Sequence, residues 1–323
     1  MDINEKLKRA YRKYEENFST GIKLGDVAKD YEVGKTKIIG IVESNNIEKD
    51  HILLLNLRNV YSLNLSKWKD DVVLSGGNDI QHLKNMQMVT FYQCMAQELY
   101  KIKYPTMITS YNLWTVVVAL IHFVIFGWKR EEEILFEFIK RNFGSSLLKS
   151  NTTSEKHVWF LLSLYLEYRN KTIERVNEKK SFVSALFKKK KTENALDYEL
   201  GIYEDVLKKW NISNLEKIEE LINKMIEYHS ELVSKIGQLG EFTNFQYGFY
   251  PYEILFLMHI RKSKGLPNPT QFNSFLMNTV EAKLTFKDFE PYPEFDPLVR
   301  IVDDFYKKNY SDYIPNKVDK LFE

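Results

Sequence analysis

The chain has 323 residues, of which 44% are hydrophobic, 28% charged and 14% aromatic. That composition supports a sizeable core and excludes intrinsic disorder, while 13 glycines and 8 prolines supply too little turn chemistry for an all-β fold. The net charge of +2 conceals a split: residues 1–191 hold 31 Lys and Arg against 22 Asp and Glu, and residues 192–323 hold 15 against 22.

Helical periodicity begins at once. Ile3, Leu7, Ala10, Tyr11, Tyr14 and Phe18 fall on one stripe of an N-terminal helix, with Asp2 as its expected cap. The glycine-punctuated stretch from Gly21 to Gly40 has no clear period. Its Gly34-Lys35-Thr36-Lys37 lacks the second glycine of a phosphate loop, because position 29 is Lys. Within Ile47 to Trp68, the series Ile52, Leu53, Leu55, Val60, Leu63 and Leu65 fits helix or strand, and helix is expected. Gly76-Gly77 breaks the chain, and Asn78 or Asp79 is placed to cap a long helix running to about Lys101.

After Pro105, the stretch Thr106 to Trp128 contains no Asp, Glu, Lys or Arg, and its core from Leu113 to Gly127 is almost continuously apolar. These fifteen core residues fall short of the roughly 20 that a membrane span needs, and His122 lies near one end. The flanking Lys101, Lys103, Lys129 and Arg130 give no charge asymmetry to orient a span. A central buried helix is expected, without stable membrane insertion.

A helix from Arg130 to about Asn142 follows, with Ile134, Leu135, Phe138 and Ile139 as its core stripe. Ser154 opens the next, which lines up His157, Leu161, Leu164, Tyr165 and Tyr168. Asn177 to Asn194 then holds six lysines, including the run Lys188 to Lys191, and reads as a solvated connector. The expected organisation is an N-terminal helical domain over 1–178, a Lys-rich linker over 179–194 and a C-terminal helical domain over 195–323. Beyond the linker, Ala195 to Trp210 is amphipathic, and Ser213-Asn214-Leu215-Glu216 has the form of a capping box. The helix it opens keeps its period to Ile236, before Gly237 and Gly240. Tyr250 to Lys264 is a further helix with Pro251 in its first turn and Gly265 as terminator, and Asp296-Pro297 starts the last. The fold class is therefore all-α, a bundle or array of antiparallel helix pairs in two halves.

Chemistry is sparse in the motifs. The six histidines at 51, 82, 122, 157, 229 and 259 include no pair four apart and no His-Glu-x-x-His, so no metal or other cofactor is expected. No Gly-x-Ser-x-Gly or Gly-x-Gly-x-x-Gly is present, and a non-enzymatic role is expected. Cys94 is alone, which forbids an intrachain disulfide and fits a buried structural thiol in a reducing, cytoplasmic compartment. Charges in Met1 to Lys6 stand where a secretion signal needs apolar residues. The lysine run lacks the interleaved aromatics of a single-strand binder, so no nucleic-acid partner is expected; Arg175 and Lys179 to Lys191 are the residues that would carry one.

Two stretches interleave rings with carboxylates, Glu241 to Glu253 and Phe286 to Tyr313. Aromatic anchors beside negative charge suit docking on a basic protein surface. The expected partner-binding residues are Glu241, Tyr250, Tyr252, Glu253, Glu290, Tyr292, Glu294, Asp303 and Asp304.

Lys103-Tyr104-Pro105 before Trp114, an apolar helix ending in Phe126-Gly127-Trp128, and Tyr250-Pro251-Tyr252-Glu253 opening a helix that ends in Lys264-Gly265-Leu266-Pro267 give the chain a layout that resembles bacterial toxin-immunity proteins of the PoNe-immunity and related all-helical families. The resemblance implies a cytoplasmic protein that neutralises a cognate toxin by forming a tight complex and occluding it, without catalysis. Such inhibitors of nuclease toxins are acidic overall; here only the C-terminal half has that sign. Two alternatives stay open: a helical scaffold or adaptor of another bacterial assembly, for which self-association, as in a homodimer, is expected, and a metal-dependent hydrolase or nuclease built from sequence-distant carboxylates.

Overall fold

The computed structural model describes residues 2–104, 109, 111–148, 155–175, 200–318 and 320–323. Among them the chain forms eleven α-helices and no β-strand, which is the expected all-α class. Pro105, Ser154, the Lys-rich linker and residues 195–199 lie outside the described residues.

α1 (Ile3–Glu16) turns Leu7, Ala10 and Tyr14 inward. Asp2 precedes it, but its side chain makes no cap hydrogen bond; the Lys6 amide donates to the Asp2 carbonyl instead. A π turn over Asn17–Gly21 leads to α2 (Leu24–Glu43), so the glycine-punctuated stretch is helical. Gly34 lets α2 approach α3 (His51–Lys69) closely, since a Cβ there would lie 2.8 Å from the Asn59 amide nitrogen. α4 (Gln81–Lys103) starts just after the expected cap, with Asp79 Oδ1 accepting the Gln81 amide at 2.8 Å.

α5 (Leu113–Phe126) is the central helix, and every residue in it except Trp114 and Thr115 is buried. Asn112 Oδ1 accepts the Thr115 amide at 2.9 Å to start it, and Gly127 ends it at φ +74°. α4, α6 (Lys129–Asn142), α7 (Lys156–Arg169) and α10 (Tyr252–Ser263) surround it. No helix of the described residues is long and apolar enough to cross a membrane. Cys94 is buried in α4, and burial pushes its thiol well above the ordinary range.

α8 (Tyr203–Lys209) is shorter than the expected helix, with Gly201 at φ +58° just before it. α9 (Leu215–Val233) is capped by Asn214, whose Oδ1 accepts the Lys217 amide at 2.9 Å; the cap is one residue later than the expected Ser213. α11 (Pro297–Asn309) begins as expected, with Asp296 Oδ1 accepting the Leu298 amide at 2.8 Å.

One core runs from Ile38 to Phe322 and draws on both sequence halves. α11 packs on α2, α3 and α4, and α10 packs on α5, α7 and α9. A smaller cluster joins α1 to Val73, Val233, Ile236, Phe249 and Leu276.

Two glycine substitutions separate backbone strain from propensity. A Cβ on Gly127 would lie 2.5 Å from the Asp288 carbonyl oxygen, whereas Gly25 has open space around it. Gly127→Ala is expected to lower stability by about 1–3 kcal/mol, and Gly25→Ala to raise it by up to about 1 kcal/mol. Thermal denaturation of both variants measures this; shifts of the same sign would contradict it.

Candidate functional site

Between α9 and α10 the chain forms a loop whose tip, Leu239, is fully exposed. Gly237 and Gly240 flank the tip at φ +83° and +148°, conformations that favour glycine. Thr243 closes the loop. Its carbonyl accepts the Gly237 amide at 2.8 Å, and its hydroxyl lies 2.7 and 2.8 Å from the carbonyls of Gln238 and Gly240. From α1, the Lys13 ammonium donates to the Ile236 carbonyl at 3.0 Å.

Behind the tip the chain turns inward to a buried polar centre. Glu241 Oε1 accepts the His157 backbone amide at 3.0 Å and lies 2.9 Å from His157 Nδ1, while Oε2 accepts the Tyr228 hydroxyl at 2.7 Å. Phe242 packs between two imidazoles, with ring centroids 4.4 Å from His157 and 3.8 Å from His229, the latter stacked. His229 Nδ1 lies 2.7 Å from Glu253 Oε1, and its Nε2 lies 2.8 Å from the Gly248 carbonyl. The centre thus joins α7, α9, α10 and the loop. Phe242 stands at φ +57°, a conformation that costs a bulky residue about 1–3 kcal/mol and persists only where its surroundings hold it.

Electrostatics follow from burial. Burial alone would push the Glu241 carboxyl up, but its bonds with His157 and Tyr228 outweigh that and hold it below the ordinary range. The phenol of Tyr203, from α8, is pushed well above its ordinary range by burial and then by Glu253 and Glu241.

Other interior charges are also engaged. Lys69 Nζ lies 2.5 Å from Glu281 Oε1 and 2.8 Å from the Tyr14 hydroxyl, and 3.6 Å from the Trp68 ring centroid. Burial pushes this ammonium down to about 8, against the pull of Glu281. Glu131 accepts the Phe322 amide at 2.9 Å and the Tyr292 hydroxyl at 3.1 Å. On the surface, Glu167, Tyr168, Trp210, Asn211, Lys264 and Leu266 line a notch of about 280 Å³, where Glu167 accepts the Trp210 indole at 2.7 Å. Among the described residues no group of three His, Cys, Asp or Glu is placed to hold a metal ion.

The expected docking residues fall mostly inside. Glu241, Tyr250, Tyr252, Glu253, Glu290 and Asp303 are buried, Tyr292 is half-buried, and only Glu294 and Asp304 are exposed. The reason is that the buried carboxylates already have partners: His157 for Glu241, His229 for Glu253, Lys84 for Glu290 and Lys307 for Asp303. The rings are taken too, since Tyr252 accepts the Trp114 indole at 2.8 Å and Tyr250 bonds His122 at 3.2 Å. Arg175 lies 5.9 Å from the Phe143 ring centroid, and Lys179 to Lys191 lie outside the described residues. The meeting of His157 and His229 on Phe242 had no local signal, because their spacing carries no motif. Leu239 showed only as a residue between two glycines.

Comparison with known protein families, curated proteins and solved structures finds no match for this chain.

Two measurements test the interior. Lys69→Ala leaves the Glu281 carboxylate buried and unpaired, and is expected to cost about 3–5 kcal/mol in urea unfolding; Lys69→Met combined with Glu281→Leu costs far less. Additive losses would contradict a coupled pair. Burial pushes His122 from its ordinary 6.5 down to about 4. As pH falls between those values the unfolded chain takes up the proton first, so stability is lost across that window, by about 3 kcal/mol from this residue. His122→Asn is expected to flatten that part of the stability profile; an unchanged slope would contradict the assignment.

Proposed function

We propose that this chain is a non-catalytic binding protein of the immunity type, which neutralises a cognate protein toxin by covering it and seats the Leu239 loop against it. The observation that carries this reading is the fully exposed leucine on a loop that the body holds from behind through His157 and His229. Burying a leucine side chain gains about 1.5–3 kcal/mol. A loop already fixed before docking loses little freedom when it docks. The sequence layout, which resembles that of helical immunity families, points the same way. Glu294 and Asp304, both exposed, suit the steering of a basic partner.

Affinity capture from the native host, read by mass spectrometry, tests this with the wild type, Leu239→Asp, and Glu294→Lys combined with Asp304→Lys. The expected outcome is one toxin-like protein held by the wild type and lost from the still-folded Leu239→Asp variant. Cells producing that protein should regain growth when the wild-type chain is co-expressed. Equal capture by wild type and Leu239→Asp contradicts the loop contact. Loss from the charge-reversed variant alone moves the contact to the acidic stretch, and capture of nothing but further copies of the chain favours the scaffold alternative.

A further inference from the structure

Three buried histidines differ in what their ring nitrogens face, and those partners set how many protons each ring needs. His122 has the Val118 carbonyl 2.7 Å from Nδ1 and the Tyr250 hydroxyl 3.2 Å from Nε2; a hydroxyl can donate, so a neutral ring satisfies both. His157 has Glu241 Oε1 at Nδ1 and no hydrogen-bond partner at Nε2, so one ring proton is enough. His229, of these three, has an acceptor on each side. A backbone carbonyl cannot donate, so Nε2 carries a proton toward Gly248. The 2.7 Å contact with Glu253 Oε1 then needs a second proton between Nδ1 and the carboxylate, since otherwise two lone pairs would oppose each other.

We propose that the His229–Glu253 pair is a proton-operated latch on the 237–249 loop. The pair holds one proton more than a neutral imidazole beside a carboxylate, whether drawn as imidazolium with carboxylate or as imidazole with carboxylic acid. When that proton leaves, a net negative charge remains in a site where both side chains are wholly buried, and the ring can satisfy Gly248 or Glu253 but not both. The other titratable groups packed around the pair do not replace it. Glu241 from the loop and His157 of α7 engage each other, and Tyr203 of α8, Tyr228 of α9 and Tyr252 of α10 complete the shell.

Release would move the loop as a unit. A Cβ on Gly248 would lie 2.7 Å from the Asn244 carbonyl oxygen and 3.0 Å from that of Phe242, so the residue whose carbonyl His229 holds has its Cα packed directly on the loop backbone. Phe242 also stacks on the same imidazole. The proton count stands on contact geometry alone; its consequence for binding rests on the Leu239 reading, and the test needs no partner.

Glu253→Gln supplies the discriminating variant, because its amide N–H can donate to Nδ1 while Nε2 still donates to Gly248, keeping both contacts without the extra proton. Hydrogen exchange of the loop amides is followed in the full chain from neutral to alkaline pH and corrected for intrinsic base catalysis. In the wild type, corrected exchange is expected to gain about ten-fold per pH unit for as long as the closed pair keeps its proton and the opened loop releases it, and to level off where the closed pair has lost it as well. In Glu253→Gln the corrected rates are expected to stay flat. A flat wild-type profile, the same rise in Glu253→Gln, or failure of Glu253→Gln to fold each overturns the latch. Because no partner is present, the outcome is independent of whether the chain binds a toxin.

Discussion

The imidazole of His229 has an acceptor on each side, and the path of the chain between α9 and α10 follows from that placement. One nitrogen holds the Gly248 carbonyl and the other holds Glu253 at the start of α10, so the return of the chain into the helix is set from inside. Phe242, stacked on the same ring at an unfavourable φ, carries the constraint outward, and Glu241 repeats it on His157. What remains beyond these anchors is a short tip with two glycines and one leucine. The strain at Phe242 is tolerated because rings from α7, α9 and α10 pack on it, and the exposed Leu239 stands on a base anchored by these contacts.

The same logic recurs across the interior. Lys69 of α3 meets Glu281 and Tyr14, Lys84 of α4 meets Glu290, and Glu131 of α6 takes the Phe322 amide. Each contact joins segments far apart in sequence. A buried ion pair adds little net stability over an apolar replacement, but removing one member is costly, so such pairs penalise alternative arrangements of the helices. Arg261 does this without a carboxylate: its guanidinium donates to the carbonyls of Trp210, Ile212 and Pro267 and to Asn268 Oδ1, tying the ends of α8 and α10 together.

Much of the helical layout was legible because its signals are local. Asp296-Pro297, the apolar run ending at Gly127, and Gly265 each mark an end through conformational rules that act within a turn. The stretch from Gly21 to Gly40 was not legible, because Gly34 is explained only by the approach of α3. The candidate site was harder still. A glutamate beside an aromatic ring reads the same in sequence whether it faces water or an imidazole, and the partners of Glu241, Glu253 and Glu290 are remote. Asp303 was the exception in kind, since Lys307 lies one helical turn away. Composition therefore marked where rings and carboxylates concentrate, and not that most of them lie inside.

Presentation of Leu239 depends on the rigidity of the tip. Backbone ¹⁵N relaxation of Gln238, Leu239 and Gly240 at neutral pH measures it directly in the free protein. Order parameters near those of the flanking helices, about 0.85, are the predicted result. Values below about 0.6 would show a flexible tip and contradict the claim that the buried histidine–glutamate pairs fix it from behind.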